Sequence, residues 1–230
     1  MLIAEIFQSI QGEGKFVGMP SVFIRTSGCN LRCNWCDTMY ASWYPEGEER
    51  AIASIVDIVA SYSSDHVVIT GGEPMIAKGI HELCRALRKL EKFITIETAG
   101  TVPPDGVECD LASLSPKLSN ATPDSRLPEE WRRRHEDLRF QPAVIKAWVN
   151  EYRSQIKFVV SKQADLKEIQ DWLRLLEFRI QTDHIFLMPE GVTTDSLALK
   201  HDFIIEACKS FGYRFGPRLH IELFGNTKGT

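Results

Sequence analysis

The chain has 230 residues, 43% of them hydrophobic and 25% charged, with a net charge of −4, enough for one well-buried core or at most two small domains. The acidic balance speaks against a nucleic-acid partner or an anionic-membrane surface, and the one basic run, Arg132 to His135, lies among Glu129, Glu130, Glu136 and Asp137 as on a solvated helix face. No apolar run approaches the roughly 20 residues of a membrane span, and the start is no signal peptide, so the six cysteines are expected reduced, in a cytoplasm.

In chain order, Met1–Phe7 alternates as an N-terminal ribbon, and Val22–Ile24 reads as a strand. Ile52, Ile55, Val56 and Val59 mark a helix, and His66–Thr70 a strand ending at Gly71-Gly72-Glu73-Pro74. A helix through Ile80 and Leu90 follows, then strands at Phe93–Glu97 and Leu111–Ser115. The stretch 122–150 is irregular, with a charged helix around Trp131–Leu138, and is expected to be an insertion or lid-like segment. Beyond it come a strand at Ile156–Val160, a helix through Leu166 and Leu176, a strand at His184–Met188 and a helix carrying Phe203, Ile204 and Cys208. Leu219–Leu223 alternates like a last short strand. Cys84, Cys109 and Cys208 are expected to be buried structural thiols.

Strands alternating with helices predict βα units and a parallel sheet. A closed eight-fold barrel typically takes about 250 residues. The expectation is therefore an α/β fold: a single domain over 1–230 built as an open, partial parallel βα barrel of about six strands, with an N-terminal strand extension.

Cys29, Cys33 and Cys36 form Cys-x-x-x-Cys-x-x-Cys on one loop after the first barrel strand. Three thiolates at that spacing can hold an iron–sulfur cluster, and the missing fourth cysteine leaves one iron open for a ligand that is not protein. A Cys₃His zinc site is the bland alternative, but no histidine accompanies the loop in sequence. Functional residues of parallel α/β folds gather at the C-terminal ends of strands. Unusual residues stand at those ends: Thr70-Gly71-Gly72-Glu73-Pro74, Glu97-Thr98-Ala99-Gly100, Ser115-Pro116-Lys117 and Met188-Pro189-Glu190-Gly191. The Gly-Gly turn would bring backbone carbonyls and Glu73 close to an ammonium group.

The cysteine motif followed by Gly-Gly-Glu-Pro resembles the radical S-adenosylmethionine (SAM) superfamily. That resemblance implies a [4Fe-4S] cluster whose open iron binds SAM, one-electron cleavage of the sulfonium, and a 5′-deoxyadenosyl radical that abstracts hydrogen from a substrate. Phe7-Gln8-Ser9-Ile10-Gln11-Gly12-Glu13-Gly14, Gly18 to Arg25, Cys36-Asp37-Thr38 and Ser115-Pro116-Lys117 are similar to the 7-carboxy-7-deazaguanine synthase family. Such enzymes are carbon–nitrogen lyases that turn 6-carboxy-5,6,7,8-tetrahydropterin into 7-carboxy-7-deazaguanine, with ring contraction and ammonia loss, on the way to queuosine in tRNA.

Carried over by motif, Cys29, Cys33 and Cys36 would ligate the cluster and Thr38 a Mg²⁺ ion. Trp35, Cys36, Asp37, Gly72, Glu73, Glu97, Ser115, Pro116 and Lys117 would line the SAM pocket, with Met188, Pro189, Glu190 and Gly191 beside the adenine. Ile10, Gln11, Gly12, Glu13, Arg25, Thr70 and Thr230 would bind the pterin. The resemblance also implies a small electron donor such as flavodoxin or ferredoxin, and a homodimer. Ala99 stands where the family commonly has asparagine, and Met188 where a glutamine is common. A glycyl-radical-enzyme activase shares the cysteine loop and the Gly-Gly-Glu-Pro turn. A non-enzymatic cluster or zinc module is the third reading.

Overall fold

The computed structural model describes residues 1–176 and 180–230. Its elements run β1 (Leu2–Ile10), β2 (Pro20–Thr26), α1 (Met39–Ser42), β3 (Glu48–Glu49), α2 (Ile52–Ala60), β4 (His66–Gly71), α3 (Ile80–Lys89), β5 (Phe93–Thr98) and β6 (Leu111–Leu114). Then follow α4 (Glu129–Arg139), α5 (Pro142–Glu151), β7 (Ser154–Val160), α6 (Ala164–Leu175), β8 (Ile185–Pro189), α7 (Thr194–Ala198), α8 (His201–Phe211), β9 (Arg214–Phe215) and α9 (Leu219–Phe224).

Period-two alternation in the strands decides the architecture. Val22 and Ile24, Val67 and Ile69, Ile94 and Ile96, Ile156 and Phe158 all turn to one face and are fully buried there. The same core takes in Ile55 and Val59 of α2, Leu83 and Leu87 of α3, Trp148 of α5, Trp172 of α6 and Ile204 of α8. Helices therefore cover one face of the sheet, as right-handed crossovers of one winding direction require. The parallel strands follow in chain order, β2-β4-β5-β6-β7-β8-β9, so the sheet is wound in one direction and curls as an open barrel. β1 is added antiparallel to β2, with Phe7 opposite Phe23, and β3 closes that edge with the exposed Glu48 and Glu49. Acidic residues on an edge strand discourage pairing with a second chain.

Two details differ from the sequence reading. Leu219–Phe224 is a helix rather than a strand. Five alternating residues, Leu219–Leu223, are too few to separate the two periods, and the turn is set by the Ile221 amide bonding the Arg218 carbonyl and by Leu219 bonding the Gly12 carbonyl at 3.0 Å. Within 122–150, α5 buries Ile145 and Trp148 completely and makes the ordinary β6–β7 crossover. The additional element of that stretch is α4.

Candidate active site

The face of the sheet opposite the helices carries the intervening side chains, a small apolar cluster of Phe7, Phe23 and Val68 and a row of polar residues. Arg25 is level with Thr70, Glu97 with Ser113, and Ser113 with Gln155. Arg25, Thr70 and Glu97, with Lys157 two residues beyond Gln155, form the floor of a cavity of about 430 Å³, within the usual size of small-molecule sites. Its rim is made by the loops after β2, β4, β5 and β6, the 11–13 loop and the segment around Arg218 and His220.

Charge is densest at one side of that floor. Lys157 is 2% exposed and places Nζ 2.9 Å from Glu13 and 3.0 Å from Glu97. Glu97 also accepts from the Thr70 hydroxyl at 3.1 Å and from Gln11 at 3.4 Å. Arg218 donates to Glu13 at 3.3 Å, to the Gly191 carbonyl and to Asp37. Burial alone would raise the Glu13 pKa, but Lys157, Arg218 and His220 overrule it and hold the carboxyl well below the usual range. Burial would likewise discharge Lys157, yet Glu97 and Glu13 keep it firmly cationic. Gly12 has to be glycine, because a Cβ there would run into the His220 ring.

The cysteine loop closes the other side. Cys29, Cys33 and Cys36 all line the cavity, and all are free thiols. Burial pushes Cys29 up to about 12, with Glu73 adding to it, and pushes Cys33 higher still. Leu31 donates its backbone N–H to the Cys29 sulfur at 3.4 Å, and Cys36 meets the Ser42 hydroxyl at 3.1 Å. Among the described residues no group of three or more His, Cys, Asp or Glu is drawn together as if around a single metal ion. Three soft sulfurs on one wall, Cys33 buried and Cys29 and Cys36 half-buried, suit a sulfide-bridged cluster. The loop is seated by the Gly-Gly turn: Glu73 donates its amide to the Gly28 carbonyl at 2.9 Å. A Cβ on Gly72 would collide with that same carbonyl.

Of the residues singled out from sequence, Ile10, Gln11, Gly12, Glu13, Arg25, Trp35, Asp37, Thr38, Thr70, Gly72, Glu97, Ser115, Lys117, Met188 and Thr230 line the cavity with the three cysteines. Glu73 does not. It is fully buried and accepts from Thr98 at 2.7 Å, from the Ala99 amide at 2.8 Å and from the Met75 amide at 3.1 Å. Its carboxylate therefore fastens the Gly-Gly turn to the loop after β5. Pro116, Pro189, Glu190 and Gly191 also lie off the cavity wall. Glu190 pairs with Lys200 at 3.4 Å, and Gly191 serves through its carbonyl to Arg218. Thr38 stands at the N-cap of α1 without a capping hydrogen bond, so its hydroxyl is not committed to the helix.

Lys157, Arg218, His220 and Tyr40 belong to the wall as well and were not picked out from sequence. For Lys157 a signal existed: a lysine inside an apolar strand, in the same alternation phase as Arg25, Thr70 and Glu97.

A three-cysteine loop at the C-terminal rim of a singly wound parallel half-barrel defines a radical SAM protein, and the Radical SAM superfamily pattern matches residues 23–115. The 7-carboxy-7-deazaguanine synthase of Rhodopirellula baltica is 46% identical over 231 residues, spanning 100% of this chain and 89% of the relative. That of Halobacterium salinarum is 40% identical over 237 residues, covering 99% and 92%. The crystal structure of QueE from Escherichia coli superposes with a TM-score of 0.69 at 26% identity, over 95% of this chain and 94% of that one. A TYW1 structure, at 13% identity and a TM-score of 0.59, covers 83% of this chain and 72% of its own and shares the fold. The chain belongs to the 7-carboxy-7-deazaguanine synthase family.

Proposed function

We propose that this protein is a radical SAM lyase that converts 6-carboxy-5,6,7,8-tetrahydropterin into 7-carboxy-7-deazaguanine with loss of ammonia. The observation that carries the reading is the continuity of one cavity: the three cysteines on one wall, and a floor of Arg25, Thr70, Glu97 and Lys157 on the other. When bound, the cluster and SAM supply a one-electron cleavage that generates a hydrogen-abstracting radical.

The chain's own residues hold, orient and charge the site. Cys29, Cys33 and Cys36 would carry the cluster. The Nε of Arg25 is tied to Glu5 at 2.6 Å, and Tyr40 donates to the same Glu5 oxygen at 2.5 Å. That anchoring turns the rest of the fork toward the cavity, where its terminal N–H groups make no hydrogen bond among the described residues. Two parallel donors on a fixed plane match a carboxylate, here the 6-carboxylate of the pterin. Glu13 and Glu97, both bonded to Lys157, offer acceptors for the pterin's amidine-like N–H groups, and Gln11 lies beside them. The Thr38 hydroxyl, held only by a long 3.8 Å contact with the Cys36 sulfur, would suit Mg²⁺, a hard cation that retains waters and takes few protein oxygens. Lys117, over the Trp35 ring at 5.5 Å and bonded to Ser115 at 2.8 Å, would offer its ammonium group to the SAM carboxylate.

The same reading assigns a flavodoxin- or ferredoxin-type protein as reductant, a homodimeric state and a cytoplasmic setting. Among the described residues no helix is long and apolar enough to cross a membrane. The test is direct: reduced, reconstituted protein given SAM, Mg²⁺ and the carboxypterin should form a deazapurine identifiable by mass. SAM cleavage unaccompanied by that product would favour a radical-transfer activase instead.

A further inference from the structure

The helix α4 has no part in the chemistry above, yet it lies along the back of the cysteine loop and grips the residues between the cysteines. His135, 1% exposed, accepts the backbone N–H of Arg32 on Nδ1 at 3.1 Å. The Arg32 guanidinium lies over the Trp131 ring at 4.2 Å and turns back to donate to the carbonyls of Cys29 at 2.8 Å and Leu31 at 2.7 Å. Leu138 packs on the small apolar cluster of Leu31, Cys33 and Ala121. Trp131, His135 and Leu138 are four and three residues apart, which puts them on one helix face.

The approach to α4 holds the second gap of the motif. The Asn34 amide donates to the Ala121 carbonyl at 2.9 Å, and Arg126 donates to the Asn34 carbonyl at 3.2 Å. Arg32 stands between the first two cysteines and Asn34 between the last two. Both gaps are therefore fixed from one segment.

A separate observation points the same way. The Nε2 of His135 is buried with no hydrogen-bond partner among the described residues. Burial pushes this ring down to about 4, so it is neutral at pH 7; with Nδ1 accepting, the proton stays on Nε2. A buried N–H without an acceptor is rare in a folded protein, and hydrogen bonds to sulfur are among the features that tune iron–sulfur clusters.

We propose that α4 is a clamp that pre-forms the cluster loop, with His135 and Trp131 as its positioning residues. His135 fixes the peptide between Leu31 and Arg32, and Trp131 holds the Arg32 side chain that folds back over the Cys29 carbonyl. The spacing between Cys29 and Cys33 is thereby set before iron arrives. This inference rests on the cluster assigned above.

The test compares wild type with His135→Leu, His135→Asn and Trp131→Ala after anaerobic reconstitution. The readouts are the rate at which the visible cluster absorbance is lost to a chelator, and the melting temperature of each apo protein. His135→Leu and Trp131→Ala should lose the cluster at least about 10-fold faster, the range typical when a partner behind a metal ligand is removed. His135→Asn should stay near wild type, because its Oδ1 can replace Nδ1 as acceptor for the Arg32 amide. Chelator resistance equal to wild type in a folded His135→Leu would overturn the clamp, as would loss in His135→Asn equal to that in His135→Leu. Should His135→Leu fail to fold, Trp131→Ala, altered at a half-buried ring, decides alone by the same criterion. A wild-type protein that binds no cluster at all would overturn the cluster reading itself.

Discussion

Arg218 donates to the carboxylate of Asp37, the residue that follows the last cysteine of the loop. The same guanidinium reaches Glu13 and the Gly191 carbonyl, so one side chain ties the cysteine loop, the 11–13 loop and the loop after β8. Burial would lower the pKa of Arg218, but Asp37 and Glu13 raise it above its ordinary value. Removing Arg218 leaves Glu13 to Lys157 alone and leaves Asp37, about a third exposed, without its ion-pair partner; losing such charged hydrogen bonds costs about 1.5 kcal/mol. Arg218→Met should therefore lose stability of that order in urea unfolding of the apo protein. A loss below about 0.5 kcal/mol, the level of an ordinary surface change, would mean that the bridge does not hold the loops together.

The Glu13–Lys157 pair makes a prediction with a definite pH window. Glu13 has a folded pKa below its value of 4.5 in the open chain, so its contribution is present above pH 4.5 and fades as the pH falls below it. Lys157 is raised above 10.5, so its own contribution is constant through neutrality and is lost only in strong alkali. The stability gap between wild type and Lys157→Met should be widest at neutral pH and should narrow below pH 4.5. A gap unchanged from neutral pH down to acid unfolding would show that the pair does not hold Glu13 ionised.

Arg25 separates substrate binding from cofactor chemistry. Arg25→Lys keeps the charge but loses the planar fork, and a hydrogen bond between charged groups is worth about 1.5 to 3 kcal/mol. The KM for the carboxypterin should rise roughly 10- to 100-fold, by that same energy range, while SAM cleavage without pterin stays as in wild type. Equal losses in both would place Arg25 at the SAM side of the cavity.

Cys33→Ala should abolish cluster binding and with it the formation of 5′-deoxyadenosine, since two cysteines do not hold a four-iron cluster in place. Retained cleavage in that variant would contradict the assignment of the loop.

The rim of this site was legible in the sequence because polar residues interrupt apolar strands at their C-terminal ends, where a parallel sheet gathers its loops. Cys29, Arg25, Thr70, Glu97 and Lys117 were all visible on that ground or by resemblance. Arg218 and His220 were not, because they reach the cavity from the N-cap and first turn of a short helix whose alternation imitates a strand. Glu73 misled for a related reason. A carboxylate in a tight turn looks available in sequence, and only the position of Thr98 and the Ala99 amide shows that its oxygens are already bonded. Lys157 could have been found by phase alone, and α4 looked like a solvated helix because its charges hide the Trp131, His135 and Leu138 face.

The measurement that bears most directly on the central claim follows both products of one reaction. Reconstituted protein, a reductant, SAM, Mg²⁺ and 6-carboxy-5,6,7,8-tetrahydropterin are combined, and 5′-deoxyadenosine and deazapurine are quantified together. Deazapurine formation that depends on the pterin and is lost in Cys33→Ala is the expected result. Steady 5′-deoxyadenosine formation with no deazapurine would contradict it.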